Sequence, residues 1–253
     1  MKYLKDMWLD HEERVIEAIL EGLAVLRSEK QLTRLNNIIG DAEDGRPVED
    51  KINRELFFCL RRANANLLQK GRGVKNEPQY EPRNQPNEQD ITPPSADYKR
   101  VDIWWGYFDE LAAYHSSEHG SKYFYIECKR LGSRIPSGSL NQRYVQNGVM
   151  RFVSDGHRYG QHTQSGAMIG YLEDMTCEEI LQDVNTAVEQ VEQTLSPQTK
   201  VSPLLPPQSG WQDKATSRLT HQLERSFPKS PFILRHFWLD LRRCYPRIQK
   251  SST

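Results

Sequence analysis

The chain has 253 residues and balances 34 Lys and Arg against 34 Asp and Glu, so it can bury a full core, and no global charge marks a polyanionic partner. Cys59, Cys128, Cys177 and Cys244 stand far apart with no CxxC pair, which argues against a zinc cage or disulfide framework. No stretch approaches the ~18 apolar residues needed to cross a bilayer, and MKYLKDMWLD lacks a signal peptide's apolar run, so the expected location is the cytoplasm, without a membrane partner.

Residues Leu4 to Ser28 place Trp8, Val15, Ile19, Leu23 and Leu26 near helical spacing. A second apolar segment, Leu32 to Ile39, runs into GDAEDGRP, a loop by its Gly, Asp and Pro content. Pro47 to Asn64 is again amphipathic, with Ile52, Leu56, Phe57 and Leu60 as its stripe and Glu49 and Asp50 suited to the positive end of a helix. Lys70 to Ser95 shifts to polar residues and five prolines, which predicts a long surface loop and a candidate flap over a substrate.

Val101 to Tyr107, VDIWWGY, is rich in strand formers and carries Asp102 on the face opposite Val101 and Ile103. The following HSSEHG spaces His115 and His119 four apart, but it lacks the Glu directly after the first His that a zincin helix needs, and its Gly and serines favour a turn. Lys122 to Gly132, KYFYIECKRLG, then predicts a strand with Glu127 and Lys129 on one face and Phe124, Ile126 and Cys128 on the other, facing a core. An Asp on one strand and a Glu-x-Lys on the next can converge on one point. Two acids can hold a hard divalent cation, and a nearby ammonium can stabilise charge growing on a phosphoryl group.

RLGSRIPSGS is a turn-rich basic loop with Arg130 and Arg134, and a helix is expected from Leu140 to Val153. On it Gln142, Arg143, Asn147 and Arg151 are donors suited to phosphate oxygens. Ala167 to Leu172, AMIGYL, reads as a fully buried strand beside that of Glu127, and Thr176-x-x-Glu179 as a capping box opening an acidic helix. Ser196 to Gly210 is a Pro-rich connector. Ala215 to Arg225 and Phe232 to Leu241 predict a late strand pair, with His221 and His236 as structural histidines. Residues 171–195 hold seven acids and no Lys or Arg, whereas 196–253 hold ten basic residues, which makes a sided molecule.

Asp102 with Glu127-Cys128-Lys129, in this order of elements, resembles the PD-(D/E)xK superfamily of restriction-endonuclease-like nucleases, with Val101 where the motif has its proline. FYIECKRLG, YVQNGVMRFVS and MIGYL look like an uncharacterised bacterial branch of it. The resemblance implies an α/β fold in which a mixed central sheet is flanked by helices, with an N-terminal helical extension over 1–45, a nuclease-like domain over 46–253 (core about 47–192) and a C-terminal strand pair. It implies Mg²⁺, with Mn²⁺ able to substitute, held by Asp102, Glu127, the backbone carbonyl of Cys128 and an upstream helix acid, for which Glu55 is the candidate, with Lys129 as the catalytic cation. The implied function is a metal-dependent nuclease acting on DNA in bacterial defence, working as a homodimer or within a defence complex. The rival is a catalytically silent nuclease-fold subunit that binds nucleic acid or assembles a complex, and the intact Asp102, Glu127 and Lys129 favour the first.

Overall fold

A computed structural model describes residues 2–41, 43–84, 99–115, 120–135, 138–207, 211, 216–227 and 230–245. Three helices come first: α1 (Lys2–Leu26), α2 (Glu29–Gly40) and α3 (Val48–Gln69). Then follow β1 (Gln79–Tyr80), β2 (Ile103–Phe108), α4 (Glu110–His115), β3 (Ser121–Leu131), the short β4 (Arg134–Ile135) and β5 (Gly138–Ser139), α5 (Leu140–Gln146) and a 3-10 turn (Val149–Phe152). β6 (Ser165–Leu172), α6 (Cys177–Glu192), β7 (Lys200–Val201), β8 (Thr216–Glu224) and β9 (Phe232–Asp240) complete the order, with a last 3-10 turn at Arg242–Cys244. The fold is mixed α/β: a seven-stranded sheet in the order β1-β2-β3-β6-β9-β8-β7, with helices on both faces.

The sheet separates two cores because its strands alternate. Phe124, Ile126 and Cys128 of β3 face α1 to α3, where they join Ile103, Trp105, Ile169, Phe237 and Leu239 from other strands and Val15, Ile19, Leu23, Ile52, Leu56 and Leu60 from the helices. The helices expected as an N-terminal extension therefore share a core with the sheet. Gly22 lets α1 cross close over α3, since a Cβ there would lie 3.2 Å from the Cα of Leu60. On the other face Tyr125, Met168, Leu172, Leu234 and Trp238 pack with Tyr144, Val149 and Phe152 and with the Ile180, Val184 and Val188 stripe of α6. The Thr176–Glu179 capping box is formed in both directions.

β6 is buried along its whole length because it runs parallel to β3 on one side and to β9 on the other. The late strand pair thus belongs to the central sheet: β8 and β9 pair antiparallel, and β9 extends the sheet from β6. Two expectations change. The polar stretch from Lys70 is not loop throughout, since β1 pairs with Ile103 and Trp104 and Val74 is buried with both its backbone groups held by the Asn64 amide. Residues 85–98 of the expected flap lie outside the described residues. The helix expected to reach Val153 stops at Gln146, and Gly148 explains the break: a Cβ there would meet Tyr144 O at 2.4 Å and Met168 Cε at 2.5 Å, so the chain drops onto the sheet before the 3-10 turn begins.

Candidate active site

β2 and β3 pair antiparallel with Ile103 opposite Ile126, which sets Asp102, just before β2, beside the Glu127–Lys129 segment. The Cys128 N–H donates to Asp102 Oδ2 at 2.7 Å. Glu127 and Lys129 project from the same face, and Lys129 Nζ lies 2.8 Å from Glu127 Oε1 and 3.8 Å from Asp102 Oδ2. The three residues singled out on two separate strands therefore meet at one ammonium.

Two further side chains complete the cluster. Glu49, in the first turn of α3, accepts a hydrogen bond from Lys129 Nζ at 2.7 Å and, through its other oxygen, the N–H of Arg130 at 3.3 Å. Arg151, in the 3-10 turn after α5, donates to Glu127 Oε1 at 2.6 Å, and its guanidinium lies 5.9 Å from the centre of the Tyr159 ring. Gly148 makes this possible by laying the start of the turn against the stem of Lys129, with its would-be Cβ 3.3 Å from Lys129 Cγ.

Three carboxylates, Asp102, Glu127 and Glu49, thus face two cations, Lys129 and Arg151. Glu127 is fully buried, and only one of its oxygens is served: Oε1 takes both cations while Oε2 has no hydrogen-bond partner. A buried ionised carboxylate is costly unless paired and hydrogen-bonded. Asp102 carries much of the imbalance. Burial first, and then the neighbouring charge of Glu127, push its carboxyl up to about 8 against the opposing pull of Lys129 and the Cys128 N–H. Asp102 therefore holds its proton more tightly than an ordinary aspartate. Burial alone would lower the Lys129 ammonium, but Glu127, Asp102 and Glu49 outweigh it and hold the ammonium above its ordinary range.

An orphan carboxylate oxygen beside an acid that retains a proton is a site short of one positive charge. A divalent cation supplies that charge, and the donor set, oxygen only, suits Mg²⁺ or Mn²⁺. Among the described residues no three His, Cys, Asp or Glu side chains are grouped to hold a metal ion. Asp102 and Glu127 are the two carboxylates that could hold a hydrated Mg²⁺, an ion that binds through one or two carboxylates and keeps its remaining waters.

The structure places the other expected site residues differently. Glu55 is buried, but it pairs with Arg34 of α2 at 2.7 and 3.0 Å and with Arg54 at 3.4 Å, because the cations at that level of α3 lie on α2 and α3 themselves. The helix acid that reaches Lys129 is Glu49, whose position at the helix start aims it at the end of β3. The Cys128 carbonyl already accepts from Lys129 Nζ at 2.7 Å, since the lysine folds back over its own strand. Of the expected phosphate donors, Arg130 is committed to Glu173 through both forks of its guanidinium, and Arg151 is turned inward onto Glu127. Gln142 is half-buried, Arg143 and Asn147 are exposed, and the Arg134 side chain lies outside the described residues.

Glu49 and the inward role of Arg151 were missed from sequence. The signal for the first is an acid two residues after the Pro that caps the helix, and for the second a Gly four residues after Tyr144 that breaks the helix. Residues 116–119, including His119, lie outside the described residues. His221 and His236 are neutral core groups: burial lowers His221 to about 4 and His236 well below its ordinary value, and His236 Nδ1 lies 2.7 Å from Tyr144 Oη. No helix among the described residues is long and apolar enough to cross a membrane. Comparison with protein-family models, curated proteins and solved structures gives no match.

Proposed function

We propose that this chain is a divalent-metal-dependent nuclease of restriction-endonuclease-like type that hydrolyses phosphodiester bonds of DNA. The observation that carries the reading is the unserved Glu127 Oε2, wholly buried in a cluster with more acids than cations. Asp102 and Glu127 would hold Mg²⁺, which supplies Lewis-acid polarisation of a phosphoryl oxygen and a more acidic bound water. Glu49 positions Lys129 from the helix side, and Glu127 and Asp102 position it from the strands. So held, the ammonium is an oriented cation that stabilises negative charge developing on the phosphate without first having to reorganise. Arg151 binds Glu127 Oε1 and fixes the carboxylate's rotamer, so that Oε2, without a protein partner, would be the oxygen offered to a cation.

The test is incubation of the protein with supercoiled, linear and single-stranded DNA and with RNA, in Mg²⁺, Mn²⁺ or EDTA. Cleavage of DNA that requires the metal and is lost in Glu127→Gln is expected. Metal-stimulated cleavage that survives in Glu127→Gln, or no cleavage of any substrate, overturns the reading in favour of a silent nuclease-fold subunit.

A further inference from the structure

Strand alternation continues the site's face into a strip of rings. Trp104 lies two residues beyond Asp102 on β2, and Tyr125 and Tyr123 lie two and four residues before Glu127 on β3, so all share the face of the acid cluster. The register puts Trp104 opposite Tyr125 and Gly106 opposite Tyr123. Trp104 and Tyr123 stack, with centroids 4.1 Å apart and planes 23° from parallel, and both are only half-buried. Gly106 keeps the floor beside them flat, since a Cβ there would sit 3.4 Å from the Tyr123 ring. Behind them, fully enclosed, Tyr125 stacks on Tyr159, the ring under Arg151.

Cations border the acid cluster on the side where the chain enters β2. Arg83, Lys99 and Arg100 are exposed where the chain enters β2, with residues 83 and 100 joined in a strand-like bridge immediately before Asp102. Of these, Arg100 lies 3.6 Å from Glu81 at the surface. Lys99 and Arg151 both help to lower the neighbouring His157 to about 4, behind the larger effect of burial, so both cations lie near that ring. The site is therefore continuous with half-open aromatic faces and a basic rim.

Resting on the nuclease reading, we propose that Trp104 and Tyr123 form a stacking platform for unpaired nucleobases, and that the substrate is single-stranded nucleic acid or a frayed end. The bases of a duplex hide their faces in their own stack, whereas a single strand can lay a base on an aromatic ring while its phosphates follow a basic rim. A purely structural cross-strand pair would stabilise the sheet and nothing else. On the platform, a base on Trp104 leaves the adjoining phosphate toward Asp102, two residues along the strand.

The experiment measures affinity for a labelled single-stranded oligodeoxynucleotide and for the duplex of the same sequence in Ca²⁺, and then cleavage of both in Mg²⁺. Single strands are expected to bind at least about tenfold more tightly than duplex, and Trp104→Leu to weaken single-strand binding about ten- to a hundredfold while duplex binding is unchanged. Trp104→Phe, which keeps a ring and the fold, restores most of the affinity. Duplex binding as tight as single-strand binding, or a folded Trp104→Leu with unchanged affinity, overturns the platform. Binding as expected without cleavage in any metal overturns the hydrolytic reading and leaves the platform standing. Cleavage of duplex that is indifferent to Trp104 does the reverse.

Discussion

Two buried glutamates on opposite faces of the sheet differ in how completely their charge is balanced. Glu12 of α1 is 4% exposed, and both of its oxygens are served: Arg235 of β9 holds Oε1, and the Ser165 hydroxyl donates to Oε2 at 2.6 Å. Glu127 is 0% exposed, yet two cations crowd one oxygen and the other has none. Burial alone does not mark a site. The difference lies in how the charge is balanced, for Glu12 meets one cation and one hydroxyl, while Glu127 shares its surroundings with Asp102 and Glu49.

The largest effect that would sharpen the contrast is on rate. Glu127→Gln should lower single-turnover cleavage at least about a thousandfold, roughly 4 kcal/mol of transition-state stabilisation, while folding in EDTA is retained because Asp102, freed from the neighbouring charge of Glu127, gives up its proton and takes over as the partner of Lys129. Lys129→Met should cost about a hundred- to a thousandfold in the same assay with DNA affinity in Ca²⁺ little changed, since its ammonium acts on charge that develops only in the transition state. A fall in stability with intact rate in either variant would make Glu127 another Glu12.

Glu12→Ala should show the opposite pattern. It strands Arg235 and the Ser165 hydroxyl, and denaturant titration should show a loss of about 3 kcal/mol, with cleavage per folded molecule unchanged. Lost activity in folded Glu12→Ala would break the comparison.

Next in size is a pH dependence. The Asp102 carboxyl is raised in the folded state to about 8, so it binds a proton that the unfolded chain has released. Its contribution to stability is whole below about pH 4 and declines as pH rises toward 8, by at most about 1.4 kcal/mol per pH unit. Asp102→Asn, measured by urea unfolding in EDTA between pH 5 and 9, should gain on the parent through that window and hold a constant advantage above it. Parallel curves would show that Asp102 is not the acid holding the extra proton.

The smallest effect is expected at Glu55. Its partners Arg34 and Arg54 are 56% and 45% exposed, so Glu55→Gln should cost about 1 kcal/mol or less and leave cleavage unchanged, whereas Glu49→Gln should slow cleavage by loosening Lys129. Equal cleavage in Glu49→Gln and the parent would return the helix acid to an ornament of the first turn.

That pair of residues also shows where sequence stops being informative. The convergence of Asp102, Glu127 and Lys129 follows from strand alternation, a local rule, and the buried strand of AMIGYL and the Thr176 cap are equally local. Which acid on α3 reaches them depends on how far the helix runs past the sheet and on which arginines α2 presents, and both are set by the packing of α1 to α3. Arg151 had the same ambiguity. Its chemistry suits phosphate, but the helix break at Gly148 turns it inward, a consequence of close approach to Met168 that no spacing reveals.

The place of β9 has a consequence for synthesis of the chain. β6, with every residue enclosed, has Phe232–Asp240 as its partner on one side, sixty-odd residues downstream, and α6, β7 and β8 are made in between. A β6 that pairs with β3 while the ribosome is still translating that interval would present its other edge bare, open to any extended peptide nearby. The proposed hydrolytic site borders that same strand, with Glu127 and Lys129 in register with Met168 and Gly170. A nascent chain therefore carries its acids and its lysine before the sheet that holds them rigid is closed, and activity should appear only after residue 240 has left the exit tunnel.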